Sequence, residues 1–217
     1  MPDHPPLDVA ALRREYANLG LDEQEAGREP FTLFRSWLQA ALAVGIAEPN
    51  AMVLATVGHA GAPSVRTVLL KGFDDRGFVF FTNYTSRKAR ELADNPRAAL
   101  VFPWIAVGRQ VTVRGTASRL TGAESDEYFA TRPRGSQVAA WASRQSDLLS
   151  GRAELDAAVA AVAERVGQDP VTRPAYWGGF RLSPEEVEFW QGRGDRLHDR
   201  LRFSRTSEGW RLERLWP

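Results

Sequence analysis

Residues 51–83 read AMVLATVGHAGAPSVRTVLLKGFDDRGFVFFTN. Three β-rich runs, AMVLATV, PSVRTVLLKG and GFVFFTN, are divided by GHAGAP and DDRG, whose glycines supply what tight connections need. Two further runs, AALVFPW (98–104) and RQVTVRGTAS (109–118), extend the pattern into an antiparallel meander. One helix interrupts it, SRKARELADNP (86–96), with Ser86 at the N-cap position and Pro96 just past the end.

Outward from this block the period changes. Two helices open the chain. In PFTLFRSWLQAALAVG (30–45), Phe34, Trp37, Leu38, Ala41 and Leu42 recur at helical spacing, a face expected to cover the sheet. A second helical block starts at TGAESDEYF, where Thr121 and Glu124 have capping-box spacing, and continues through SQVAAWAS and AELDAAVAAVAERV. Strands return as YWGGFRLS, EVEFWQG, RLRFSR and WRLERL. The expectation is a single domain over 1–217, predominantly β with flanking α-helices, its antiparallel strands closing toward a barrel. A helical segment of about 7–46 precedes the sheet, and strands of about 176–217 complete it.

Composition narrows the function. Hydrophobic residues at 43% and charged residues at 25% are ordinary globular values. A net charge of +1, from 28 basic and 27 acidic residues, attracts neither nucleic acid nor membrane globally, so any anion site is local. The absence of cysteine excludes disulfides, thiolate nucleophiles and cysteine-ligated metals. The N-terminus lacks the apolar core of a signal peptide, and the longest mostly apolar stretch, Leu38 to Ala47, is too short for a bilayer. A soluble cytoplasmic protein is expected.

Several segments carry chemistry. Arg87 and Lys88 occupy the first turn of the 86–96 helix, where free N–H groups and the macrodipole are already positive. A phosphate there would use both side chains and the N–H groups. A solvent-facing basic pair that tolerates a penalty of ~0.3–1 kcal/mol is the competing reading. Tyr128 and Arg132, four apart, share a helix face, and Pro133 ends that helix and brings Ser136 into the next turn. The three form an oxyanion cradle in principle, though a surface Tyr/Arg contact is commoner. Arg66 and Lys71 lie on opposite faces of a regular strand, so one ligand meets both only if the strand bends or ends between them. In RQVTVRG, Val111 and Val113 face the core and Gln110, Thr112 and Arg114 the polar side. Gln110 can pair with a heteroaromatic ring or simply be exposed.

FWQGRGDRLHDR (189–200) holds the one credible catalytic histidine, because His4 is near the terminus and His59 in a turn. If 196–202 is extended, Arg196, His198 and Arg200 share one face and Leu197, Asp199 and Leu201 the other. An anionic or electron-accepting ligand would relieve the repulsion on the first face. Salt bridges to Asp195, Asp199 or other carboxylates would do so equally. There is no GxGxxG opening a βα unit, no P-loop, no HExxH and no GxSxG. One histidine without cysteine argues against a metal site and against a Ser/His/Asp triad.

Taken in order, RTVLLKG, FFTNYTSRKARELADNPRAALVFPW, RQVTVRG, YFATRPRGSQVAAWASRQS, WGGFRL, EFWQGRGDRLHDR and WRLERLWP resemble the pyridoxamine/pyridoxine 5′-phosphate oxidases, from about Leu12 to Pro217. The resemblance implies an FMN-binding split β-barrel, homodimeric, with FMN at the interface. It implies FMN contacts at Arg66, Thr67, Val68, Leu69, Leu70, Lys71, Phe81, Thr82, Arg87 and Lys88, completed by Gln110, Gln145, Ser146, Trp190 and Arg200. Substrate phosphate would meet Lys71, Tyr128, Arg132 and Ser136. Arg196, Leu197 and His198 would lie at the substrate ring, with Arg196 and His198 catalytic, and Arg13, Arg14, Glu15 and Tyr16 would close the pocket. The implied reaction is hydride transfer from substrate C4′ to FMN, with O2 reoxidising the flavin to give hydrogen peroxide and pyridoxal 5′-phosphate as product. Phe81 stands where many members have tyrosine, Gly108 precedes Arg109 where a larger residue is common, and DEQEAGRE (22–29) is unusually acidic. Two alternatives remain: a same-fold FMN oxidase of another substrate, such as a phenazine precursor, or a flavin- or pyridoxal-phosphate-binding protein without turnover.

Overall fold

A computed structural model describes residues 20–217. The first elements among the described residues are α1 (Glu23–Ala26), capped by the Asp22 side chain on the Glu25 N–H, and α2 (Pro30–Ala43), which begins with a proline that owes no donor. Leu33, Phe34, Trp37 and Ala41 of α2 are buried. Leu38 is half-buried and Leu42 exposed, so the apolar stripe is turned slightly from the expected one. Phe34 meets the rings of Phe73, Phe78, Phe102 and Trp104 at 4.9, 5.0, 4.9 and 5.8 Å between centroids. Truncating a phenylalanine so enclosed costs about 3–5 kcal/mol.

Nine antiparallel strands follow among the described residues: β1 (Ala51–Val57), β2 (Pro63–Leu69), β3 (Gly72–Asp74), β4 (Gly77–Asn83), β5 (Arg97–Trp104), β6 (Arg109–Arg119), β7 (Trp177–Gln191), β8 (Asp199–Thr206) and β9 (Gly209–Arg214). Their order is β2-β1-β5-β6-β7-β4-β3, with β8 on β7 and β9 on β8. The meander is therefore corrected. Neighbouring strands make hairpins, but β1 pairs with β5 and β4 with β7. Helix α3 (Arg87–Asp94) carries the chain across between β4 and β5 and packs on β1.

YWGGFRLS and EVEFWQG, expected as two strands, are one. Pro184 sits inside β7 at a register shift opposite Arg114 and Gly115, where the missing N–H removes no ladder bond from a regular pair. Gly115 is required there, since a Cβ would lie 2.0 Å from the Ser183 carbonyl oxygen. The long strand divides the sheet: its first part pairs with β4 and its last with β8. The result is a curled half-barrel, as expected for a split barrel, flanked by α2, α4 (Gly122–Ala130), α5 (Arg134–Ala142) and α6 (Arg152–Val166).

Alternation holds where it was read. Val111 and Val113 are fully buried while Gln110, Thr112 and Arg114 are not. The capping box of α4 is present in both directions, Thr121 with Glu124. Among the described residues no helix is long and apolar enough to cross a membrane.

Candidate functional site

β2 ends at Leu69 and Leu70 turns into the core, its N–H donated to the Asn50 carbonyl. That break answers the parity objection. Arg66 and Lys71 now line one cleft of about 700 Å³, together with Thr67, Val68 and Leu69, whereas Leu70 does not reach it. The opposite wall comes from the end of β4 (Phe81, Thr82), the start of α3 (Arg87, Lys88), Tyr128 and Arg132, and the loop carrying Gln145 and Ser146. Five cations line the cleft and no carboxylate does.

At the start of α3 the local chemistry differs from a simple cap. Ser86 occupies the N-cap position, but its hydroxyl is buried and makes no capping bond. The Arg87 N–H donates instead to Ser146 Oγ at 3.1 Å. Ser146 itself has φ +78°, a left-handed conformation uncommon outside glycine. Lys88 is buried. Its Nζ donates to Thr82 Oγ1 and Gln145 Oε1, each at 3.1 Å. Burial, and next the Arg66 charge, push the Lys88 amine down to about 8, with Glu91 opposing. Thr82, Arg87, Lys88, Gln145 and Ser146 are thus one polar group drawn from three segments.

The second cluster is aromatic and cationic. Phe81 stacks on Tyr128 at 3.8 Å and on Trp177 at 5.4 Å. The Arg132 guanidinium lies 4.4 Å from the Trp177 ring centre, a cation–π arrangement. Burial pushes the Arg132 guanidinium below its ordinary value, and its buried Nη1 has no hydrogen-bond partner. Such an orphaned donor is costly unless an acceptor arrives. Ser136 lies within α5 rather than in a turn, because α5 begins immediately after Pro133, and it does not line the cleft.

The C-terminal candidates lie elsewhere. Gln110, Trp190 and Arg200 are register partners across β6, β7 and β8, and none lines the cleft. Arg200 is bidentate on Glu188, at 2.8 and 3.1 Å, which raises its pKa. The extended parity expected for 196–202 holds only from Asp199 onward. Residues 194–196 form a 3-10 turn with Asp195 at φ +53° and Arg196 at φ +62°, and Leu197 is 68% exposed instead of facing inward with Leu201. His198 Nδ1 accepts from the Arg193 N–H at 3.1 Å, and the ring sits 4.7 Å from Trp190. Asp199 accepts from Arg193, Arg214 and the Leu21 N–H. Burial alone would raise its carboxyl, but these donors hold it below the usual range. Arg13, Arg14, Glu15 and Tyr16 fall outside the described residues.

Sequence reasoning gave no site role to Trp177, within the YWGGFRLS strand, or to Ser64, both of which line the cleft, or to Thr56 and Glu91 behind it. The glycines of WGGF are there for close packing: a Cβ on Gly178 would lie 2.2 Å from the Tyr84 hydroxyl. An available signal was the i,i+4 spacing of Arg87 and Glu91. Among the described residues no group of three His, Asp or Glu could hold a metal ion.

Two family models match: residues 38–165 match that described as pyridoxamine 5′-phosphate oxidase, and residues 177–217 that of the pyridoxine 5′-phosphate oxidase C-terminal dimerisation region. The pyridoxine/pyridoxamine 5′-phosphate oxidase of Rubrobacter xylanophilus is 56% identical over 217 residues, all of both chains. That of Burkholderia lata is 52% identical over 96% of this chain and 99% of its own. Among solved structures, PhzG from Burkholderia lata in complex with tetrahydrophenazine-1-carboxylic acid has a TM-score of 0.86 at 35% identity, covering 94% of this chain and 100% of that one. An FMN-binding, pyridoxamine 5′-phosphate oxidase-related protein from Nostoc punctiforme shares the fold, with a TM-score of 0.69 at 18% identity over 85% of this chain and 97% of that one.

Proposed function

Because the chain belongs to the pyridoxamine 5′-phosphate oxidase family, we propose that it oxidises pyridoxine or pyridoxamine 5′-phosphate to pyridoxal 5′-phosphate, with O2 as acceptor and hydrogen peroxide as product. FMN is the cofactor, and when bound it supplies the hydride acceptor. The observation that carries the reading is the pairing of two cationic clusters in one cleft without carboxylates. Substrate and cofactor each bring a phosphate.

The residues present fit FMN. Arg87 and Lys88 would hold its phosphate, with Gln145, Ser146 and Thr82 as neutral partners. Arg66 to Leu69 would line its flank. Lys71, Tyr128 and Arg132 would bind the phosphate of the substrate, and the orphaned Nη1 of Arg132 is a donor ready for it. Ser136 joins this set only if α5 shifts. A homodimer follows from the C-terminal dimerisation region. A second copy would supply Gln110, Trp190, Arg196, His198 and Arg200 to the cleft, and the exposure of Val65 (67%), Leu197 (68%) and Trp216 (91%) supports such a cover. His198 would donate to the 4′ substituent, and Arg196 would orient the ring. Arg13 to Tyr16 would exclude water from the closed cytoplasmic enzyme.

The test is the visible spectrum with FMN, recorded anaerobically before and after pyridoxine 5′-phosphate. Bleaching that air reverses, with pyridoxal 5′-phosphate formed, is expected. A bound flavin that stays oxidised with both phosphorylated vitamers sinks the assignment. The likeness to PhzG supports a second reading, oxidation of a tricyclic carboxylate. The Tyr128–Arg132 cluster favours the phosphate ester, and bleaching by a dihydrophenazine carboxylate alone would reverse that choice.

A further inference from the structure

Glu91 stands behind the cleft, on α3, and does not line it. Only 8% exposed, it nevertheless gathers donors from three elements. Its Oε2 accepts from Thr56 Oγ1 on β1 at 2.5 Å, from Ser64 Oγ on β2 at 2.5 Å and from Arg66 Nη2 at 3.2 Å. Its Oε1 accepts from Arg87 Nε at 2.8 Å. Burial alone would push this carboxyl up, yet the donors outweigh it and hold it at about 2. Gly58 leaves the room: a Cβ there would come within 3.1 Å of Glu91 Cγ.

The two arginines differ in what this leaves them. Arg66 also gives Nη1 to the Leu54 carbonyl and Thr56, and Nη2 to Ser64, so its head is locked into the sheet. Arg87 is 60% exposed at its side chain and uses only Nε on Glu91. A long exposed side chain would otherwise sample many rotamers, and a ligand would have to quench that freedom. Here the carboxylate does so beforehand, with both Nη groups left for an acceptor.

We propose that Glu91 is a positioning residue for the phosphate seat: its carboxylate aims Arg87 and anchors Arg66, so that a phosphate monoester meets a preset guanidinium. Glu91 never touches the ligand. The proposal rests on the reading that FMN places its phosphate at Arg87 and Lys88. Repulsion between Glu91 and phosphate opposes the effect but is small, because two guanidiniums already neutralise the carboxylate.

Titration of the apoprotein with FMN and with riboflavin, which lacks the phosphate, separates aiming from general packing. In Glu91→Gln the amide oxygen can replace Oε2 and keep Thr56, Ser64 and Arg66, while its NH2 faces the Arg87 Nε–H, donor against donor. FMN affinity is expected to fall roughly tenfold, the scale of one lost charge-assisted bond, with riboflavin affinity unchanged and the melting temperature lowered less than in Glu91→Ala. Added to Arg87→Ala, the substitution is expected to cause no further loss of FMN affinity. An FMN-to-riboflavin ratio in Glu91→Gln equal to or above that of the parent overturns the role of Glu91 alone. A parent protein that binds riboflavin as tightly as FMN overturns the phosphate seat with it. Glu91→Ala frees both arginines and is expected to unfold at lower temperature, so the glutamine variant carries the test.

Discussion

In the cleft, Lys71, Lys88 and Arg132 face a recess without a carboxylate, whereas in the C-terminal half Arg193, Arg200, Arg202 and Arg214 each rest on one. The first region is left under-neutralised and the second is self-neutralised. Burial of unpaired cations opposes folding, so the cleft is shaped for anions that arrive later. The C-terminal pairs have another consequence. Asp199 ties Arg193, Arg214 and Leu21 together, fixing the turn that ends at His198 before any ligand is present. On the proposed reading, one region binds and the other would present side chains to the cleft of the partner copy.

The largest effect expected from this division is on turnover. Replacing His198 or Arg196 by alanine should lower kcat at least about 100-fold, the scale of a lost general acid or orienting donor. FMN affinity, read by flavin fluorescence, should stay within a factor of about 2, since these residues are assigned to substrate. A parallel collapse of FMN binding would break the division, because the C-terminal turn would then be holding the cofactor too.

The reciprocal change lies in the cleft. Arg87→Ala combined with Lys88→Ala should weaken FMN about 100-fold, from two charge-assisted contacts of ~1.5 kcal/mol each. Reconstitution at saturating FMN should return much of the turnover. A double variant with unaltered FMN affinity would remove the phosphate from the start of α3.

How far this division was legible in the sequence differs between the regions for a physical reason. In AMVLATV the alternation places Met52, Leu54 and Thr56 inward, and all three are buried. The polar Thr56 among them signals a buried acceptor, yet naming Glu91 requires the packing of α3 on β1, which no local pattern contains. Strict alternation separates Arg66 from Lys71, and they share the cleft because the strand ends at Leu69, a boundary that VLLKG does not mark. The extension considered for 196–202 starts only at Asp199, because Asp195 and Arg196, two consecutive non-glycine residues, take positive φ against intrinsic preference, imposed by the bonds around Asp199 and His198. Pro184 hid β7 for a similar reason: local chemistry says break, and the bulge beside Gly115 absorbs it.

A mixing experiment sharpens the comparison further. Chains carrying Arg132→Ala and chains carrying His198→Ala should each be nearly inactive as pure dimers. If each site joins the cleft of one copy to the turn of the other, a mixed dimer holds one site with both lesions and one with neither. Random reassociation of equal amounts then restores about a quarter of parental activity, since half of the dimers are mixed and half of their sites intact. No recovery on mixing, with exchange verified by differently tagged chains, would mean that each site is built within one chain and carries one lesion, and would end the two-region description.

The smallest effect, and the one that isolates a single group, is the pH dependence set by Lys88. Its amine titrates near 8 in the free cleft, well below an ordinary lysine, chiefly because it is buried. Phosphate prefers the ammonium form, so FMN binding should be strongest below pH 8 and should weaken as pH rises through that value, by up to roughly tenfold at pH 9. Stability of the apoprotein has the opposite sign. Between about 8 and the ordinary lysine value the unfolded chain holds a proton that the folded chain has released, so folding is favoured as pH rises across that window. Lys88→Met should flatten both slopes, weaken FMN at neutral pH and raise the melting temperature of the apoprotein. Such opposed changes from one side chain are what an under-neutralised binding region requires. The same substitution pattern at Arg200, which already has Glu188, should lower stability without any compensating gain.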